Sequence, residues 1–499
     1  MHADASPAAP ARAAHFEIAA DAALLGPGYA ASGPVRVAVE GGRIAAIAPA
    51  PGAAPTGRLL IPALADAHNH ARPLPPTSFG GGARPLETWL PRLALMPSVD
   101  PYLAAAAAFT RTLEGGATAA MVHVVRPMGL APIAEEARAI ARAAHDVGIS
   151  IGLAIGMRDR NPLVYGHSGG EGPAALAALP PDQRALAEAT WLGPLAPIEA
   201  QLAAVDEAAA AVEGMPGHCD VQYGPNGVQW CSDALLGAVA EASARTGRRV
   251  HMHLLETKPQ RDWADAAYPG PGGMVARLGA LGLLSDRLTL AHCVWAREDE
   301  LAAIAASGAR IAVNVSSNLH LYSGIAPVPA MLAAGVPVAM GLDGCALDED
   351  DDGLRELRLF HLLNHGRGFD DAGLSPETAL KAACATGRAG LGLPPGGEIS
   401  VGAPADLLAL DLPALDRDGL VAVDPRDLLM ARATRTLIRE AWSGGRQVIA
   451  GGRATGVDGG ALHADLRAAY RAALPAKAPL YDIWPAVEAC LADHYKGCC

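Results

Sequence analysis

From Arg58 to Asp343 the chain alternates two kinds of segment. Short runs at 58–67, 117–125, 149–157, 218–224, 249–255, 287–294, 310–317 and 336–342 are mostly apolar from end to end. Such runs suit strands that are buried on both faces. Stretches rich in Ala, Leu, Glu and Arg separate many of them, among them Pro132 to Val147, Ser232 to Thr246 and Glu298 to Ser307. Gly116, Gly148, Gly247, Gly308 and Gly335 stand just before strands, where each can end the preceding helix. Eight alternating units predict an α/β fold, a (β/α)8 TIM barrel.

The flanks read differently. His15 to Ala50 and Glu398 to Thr455 hold short apolar runs beside Gly-Gly turns, at Gly41-Gly42 and at Gly444-Gly445 and Gly451-Gly452. Two β-rich segments on either side of a barrel are expected to pair into one small β-sandwich. Residues 461–499 read as a helical extension. The expected division is 1–57 and 398–460 for the sandwich, 58–397 for the barrel and 461–499 for the extension. Met1 to Ala14 reads as a loose Ala/Pro-rich start, and Cys498-Cys499 as a frayed end.

Composition narrows the class. In 499 residues, 51% are hydrophobic and 18% charged, which suits a globular enzyme with a large core. The net charge of −13 argues against general affinity for nucleic acid or an anionic membrane. No apolar run of membrane-spanning length is free of Gly, Pro or charge. Eight scattered cysteines without a paired framework, and no basic-then-apolar leader, read as a reduced, cytoplasmic protein.

The candidate chemistry sits at the strand ends. His68-Asn69-His70 closes the first apolar run, and side chains two residues apart on a strand point the same way. His251-Met252-His253-Leu254-Leu255-Glu256 closes the fifth, His292 the sixth and Asp343 the eighth. In a barrel of this kind catalytic groups lie at the carboxyl ends of the strands. Imidazoles and carboxylates converging there suit a divalent cation with one open position, zinc first and iron second. His68, His70 and Asp343 are candidate ligands, and either His251 or His253 can complete the set. Glu256, just past its strand, can move a proton to a leaving nitrogen. His292 can orient water or polarise a substrate, or touch the metal itself.

Taken together, Ala67-His68-Asn69-His70, His253-Leu254-Leu255-Glu256-Thr257, Ala291-His292-Cys293 and Gly341-Leu342-Asp343-Gly344 resemble the amidohydrolase superfamily. The likeness is to its cytosine deaminase-like, triazine hydrolase and S-adenosylhomocysteine deaminase branch. Gly402 to Leu407 resembles that family's return to its β-sandwich. The resemblance implies a single metal held by His68, His70, His253 and Asp343. It implies Glu256 as proton shuttle and His292 beside the attacked carbon. Two-metal members carry a bridging lysine near strand four; here that strand ends Val221-Gln222-Tyr223-Gly224-Pro225, and no lysine lies in any strand.

The expected reaction is deamination of a small nitrogen heterocycle by metal-activated hydroxide, with release of ammonia. The alternative is cleavage of a cyclic amide, urea, N-alkylamine or chloro-substituted heterocycle at the same site. Glu256 argues against dechlorination, because expelling chloride needs no proton and expelling ammonia does. A metal-free barrel kept as a binding protein should have lost ligands, and all four positions are filled. Among residues in or near the loops after the strands, Gln222, His320 and Trp89 are the expected substrate contacts, with Arg72, His123, Arg158, Tyr223, Trp295 and Asn318 behind them. The run Asp348-Glu349-Asp350-Asp351-Asp352 reads as an acidic start to the next helix, or else as a lure for a cationic substrate. The polar loop 158–167 reads as a lid or a subunit contact. The expected partner is a small-molecule substrate, with a homodimer as the family expectation.

Overall fold

The computed structural model describes residues 15–160, 163–344 and 347–496. Met1 to Ala14, Cys498-Cys499, Asn161-Pro162 of the polar loop, and Cys345-Ala346 just after Asp343 lie outside the described residues.

Eight parallel strands form one sheet in strict sequence order. They are β1 Leu64–Asn69, β2 Ala117–Val124, β3 Ser150–Met157, β4 Cys219–Pro225, β5 Val250–Leu254, β6 Leu288–His292, β7 Arg310–Val313 and β8 Val338–Met340. Helices cover the outside, so most strand residues are buried on both faces, which explains their unbroken apolar runs. The last strand meets the first through the backbone: the Leu342 and Asp343 N–H groups donate to the His68 carbonyl at 3.2 and 2.8 Å. That closure sets Asp343 beside His68. Gly148, Gly247 and Gly308 end their helices at φ of 96°, 74° and 77°, a conformation that favours glycine.

The predicted run 58–67 is two strands. Arg58–Pro62 lies in the outer sheet, antiparallel to Leu407–Asp411, and the barrel strand starts at Leu64. Pro62 has no N–H to continue a ladder, and the chain crosses from one sheet to the other there. The outer layer is a seven-stranded sheet facing a three-stranded one, with strands from both chain ends in the larger sheet. Val37, Val39, Ile44, Leu60, Leu407 and Trp442 pack between them.

Residues Gly459–Ala473 and Ala478–Lys496 are helical. The second buries Leu480, Ile483, Trp484 and Val487 against Leu95, Leu163 and Trp191, directly behind the barrel mouth. Among the described residues no helix is long and apolar enough to cross a membrane.

Candidate metal centre and its cavity

Four strand ends place their polar side chains around one point. His70 Nε2 lies 3.0 Å and His68 Nε2 3.3 Å from Asp343 Oδ1. His253 Nε2 lies 3.4 Å from His70 Nε2. Ligands at zinc bond lengths on a tetrahedron stand about 3.3 Å apart, so the spacing fits one cation. The backbone is bent to achieve this. Ala71, Leu255, His292, Cys293 and Asp343 all adopt positive φ, although none is glycine. Each such residue costs about 1–2 kcal/mol, and these five of the ten found among the described residues stand at strand exits.

Hydrogen bonds on the far side of each ring fix which nitrogen faces the centre. His70 Nδ1 meets the His123 carbonyl at 2.7 Å, and His253 Nδ1 meets the Asn226 carbonyl at 2.7 Å. His68 Nδ1 meets His251 Nε2 at 2.7 Å. With Nδ1–H donated in each case, Nε2 presents a bare lone pair. Burial holds the His68 and His253 rings well below the usual imidazole range, so both are neutral. His68 Nε2 and Asp343 Oδ1 are buried without a hydrogen-bond partner. Neutral imidazoles and a carboxylate with idle, converging lone pairs are what a divalent cation requires, and the residues fit one. The geometry separates the two histidines of strand five: His253 faces the centre and His251 lies beneath it. His68, His123 and His251 also cluster, but the 2.7 Å between His68 and His251 is a hydrogen bond, closer than two ligands of one ion stand.

Glu256 and His292 face each other across the centre, with Oε2 and Nε2 3.8 Å apart. Glu256 Oε1 and His292 Nε2 are buried and unpartnered. Burial pushes the Glu256 carboxyl up to about 7, against the opposing pull of His292 and with the repulsion of Asp343 and Glu87 added. A carboxyl group poised there can both take and give a proton near neutrality.

The short helix α1, Val315–His320, clamps Asp343 and His292. Ser317 donates its hydroxyl to Asp343 Oδ2 at 2.5 Å, and Asn318 Oδ1 meets His292 Nδ1 at 2.8 Å. The helix start is tied in turn to α2, Gly353–Leu363, where buried Glu356 accepts from the Ser316 N–H at 3.0 Å.

A cavity of about 220 Å³ opens above the centre. Leu86, Trp89, Pro91, Leu163, Trp191 and Trp230 supply apolar walls, and Asn226, His253, Glu256, His292 and Asp343 the polar floor. Trp89, one of the expected substrate contacts, lines this cavity. His320 lines a smaller neighbouring recess with Trp89 and Asp343. The expectation for Gln222 is corrected. Its side chain is fully buried, with Nε2 donating to Asp220 and to the Gly390 carbonyl at 2.8 Å each, and it lines neither space. Gln222 stands three residues before the end of β4, one layer too deep in the barrel. His123 donates from Nε2 to the Gly224 carbonyl and supports His70, and Trp295 Nε1 donates to the Ser323 carbonyl.

Most of the acidic run is paired within the chain. Asp352 caps α2 by accepting from the Arg355 N–H, the Arg355 guanidinium pairs with Asp348, Asp350 and Asp352, and Asp351 pairs with Arg111. The polar loop packs inward: Trp263 Nε1 donates to the Gly166 carbonyl, and the Tyr165 N–H to the hydroxyl of Tyr495. Asn226, Ser317, Glu356, Trp191 and Trp230 carried no sequence signal that singled them out. Only the place of Asn226, right after strand four, could have marked it.

Comparison with known proteins identifies the family. The Amidohydrolase family model matches residues 59–449. A 5'-deoxyadenosine deaminase of Methanosarcina barkeri is 34% identical over 196 residues, 39% of this chain and 45% of the relative. A 5-methylthioadenosine/S-adenosylhomocysteine deaminase of Nitratidesulfovibrio vulgaris is 33% identical over 243 residues, 49% of this chain and 54% of the relative. The chain thus spans about half the length of the curated relatives it matches. An adenosine deaminase from Xanthomonas campestris, solved with bound zinc, superposes with a TM-score of 0.72 at 25% identity, covering 92% of this chain and 98% of that one. With most of its length matched, from the outer-sheet strand through the barrel and back, the chain belongs to the amidohydrolase family.

Proposed function

We propose that the protein is a metal-dependent aminohydrolase that removes an amino group from a carbon of a nitrogen heterocycle, releasing ammonia. The observation that carries this reading is the pairing of four cation-facing donors with a buried carboxyl at Glu256 whose Oε1 has no hydrogen-bond partner. The donor set of three imidazoles and one carboxylate favours zinc over iron. A divalent cation held by His68, His70, His253 and Asp343 supplies Lewis acidity, which brings deprotonation of water into the neutral range.

The chain's own groups do the rest. Asp343 accepts the proton of the attacking water while Ser317 keeps its second oxygen occupied. His292, steadied by Asn318, faces the oxygen that adds to the ring carbon. The proton held by Asp343 passes on to the ring nitrogen that took up the electron pair on addition, while Glu256 hands a proton to the leaving nitrogen and is recharged from the hydroxyl of the adduct. The carbon–nitrogen bond breaks, a carbon–oxygen double bond forms and ammonia departs. The apolar walls exclude bulk water from these transfers. The deaminase names of the relatives and the zinc of the solved adenosine deaminase support the same reading. A screen of aminated purines, pyrimidines, pterins and triazines for ammonia release tests it. Release of amine, urea product or chloride without ammonia would favour the alternative hydrolases.

A further inference from the structure

Glu87 is a buried carboxyl beside the cavity that the proposed proton transfers do not use. It sits in the short mouth helix Leu86–Trp89. Leu86 and Trp89 of that helix wall the cavity, whereas Glu87 turns to the exit of β5. There its Oε1 accepts from the Thr257 hydroxyl at 2.5 Å. The same hydroxyl oxygen accepts from the Gln260 N–H at 3.3 Å and starts the helix Lys258–Ala267. Gln260 reaches back, and its Oε1 accepts from the Glu256 N–H at 2.8 Å. Glu87, Thr257, Gln260 and Glu256 thus form one chain of hydrogen bonds that ends on the backbone of the proton carrier.

The turn at that point is strained. Leu255, directly before Glu256, stands at φ 49°. Only a surrounding structure that fixes it keeps the Glu256 carboxyl across from His292, and a shift of about 1 Å at a reacting group can cost about 10²-fold. The mouth helix is anchored on its other side as well. The N–H groups of Arg84 and Leu86 donate to the carbonyls of His320 and Leu321 at 3.1 and 3.2 Å, at the end of α1. Residues 84–89 therefore span from the clamp on Asp343 and His292 to the turn that carries Glu256. Glu87 itself is only 6% exposed. Burial pushes its carboxyl up, against hydrogen bonds from Thr257, its own N–H and Tyr165. A carboxyl is a costly occupant of such a place unless its acceptor oxygens are used.

We propose that Glu87 is a positioning residue for Glu256: it fixes the turn after β5 and, through the mouth helix, keeps the proton carrier in register with the wall on which the ring lies. This rests on the deaminase reading of the same site. It goes beyond that reading by giving the wall helix a part in proton delivery.

The test uses the metal-loaded protein and the variants Glu87→Ala, Glu87→Gln and Glu256→Gln. On an amine substrate Glu87→Ala should lower kcat by about 10–100-fold with KM little altered. Glu87→Gln, whose amide oxygen accepts the same bond from Thr257, should recover most of that loss. In the Glu256→Gln background Glu87→Ala should cost almost nothing more, because the group it serves is already gone. A second measurement needs no turnover. Hydrogen exchange at the Glu256 amide, followed by mass spectrometry over residues 254–262, should run about tenfold faster in Glu87→Ala and at the wild-type rate in Glu87→Gln. Should Glu87→Ala fail to fold, Glu87→Met, which keeps the bulk without the carboxyl, takes its place. An unchanged kcat, a loss carried by KM, a full further loss in the Glu256→Gln background or an unchanged exchange rate overturns the inference. Absence of ammonia from every compound with wild type overturns the deaminase reading instead, and the exchange rates still decide whether Glu87 holds the turn.

Discussion

His251 Nε2 lies 2.7 Å from Nδ1 of His68, so one buried imidazole holds another in the orientation that turns its lone pair toward the centre. The other two histidines of the centre rest on backbone carbonyls, which no substitution removes. His68 alone depends on a side chain. Supporting partners of this kind typically contribute about 10–100-fold in metal affinity. His251→Ala should therefore lose metal to a chelator about that much more readily, with the barrel intact by circular dichroism. His251→Gln, whose amide oxygen can accept the same bond, should recover much of the affinity. Equal metal retention in wild type and both variants would refute the role.

Glu256 stands apart from the cation-facing donors, so its loss should spare the metal. Glu256→Gln keeps the shape and removes the proton. For an amine substrate kcat should fall by about 10²–10⁴-fold, with metal content unchanged and KM little altered. A chloro-substituted analogue, whose leaving group needs no proton, should lose much less. Parallel losses on both substrates would mean that Glu256 acts through structure.

Glu356 gives a pH signature in stability. Burial pushes its carboxyl up from 4.5 to about 7, so the folded protein holds this proton more tightly than the unfolded chain does. Its contribution to stability is full at pH below 4.5 and is lost as pH rises through about 7. Glu356→Gln cannot titrate. The Tm of the variant minus that of wild type should therefore rise between pH 5 and pH 8. A difference independent of pH would contradict the buried, proton-binding state of this group.

Much of this was legible in the sequence because burial on both faces makes a barrel strand conspicuous. The candidate site residues were legible because they close those strands: His68, His70, His253, His292 and Asp343 each sit at or next to the end of an apolar run. What stayed hidden depends on contacts distant in sequence. Arg58–Pro62 reads as the start of the barrel until its pairing with Leu407–Asp411 is seen. Gln222 was placed at the mouth by nearness to a strand end, but a few residues along a strand change the layer a side chain occupies. The clamp of Ser317 and Asn318 on Asp343 and His292 reaches across two strand ends, and nothing local announces it.

The most direct test is elemental analysis of the purified protein beside the double variant His70→Ala, His253→Ala. Wild type should carry about one divalent ion per chain, zinc by the donor set, and the folded double variant essentially none. A wild-type chain without metal after growth in zinc-supplemented medium, or a double variant that keeps its full equivalent, would contradict the convergence of these side chains on one cation.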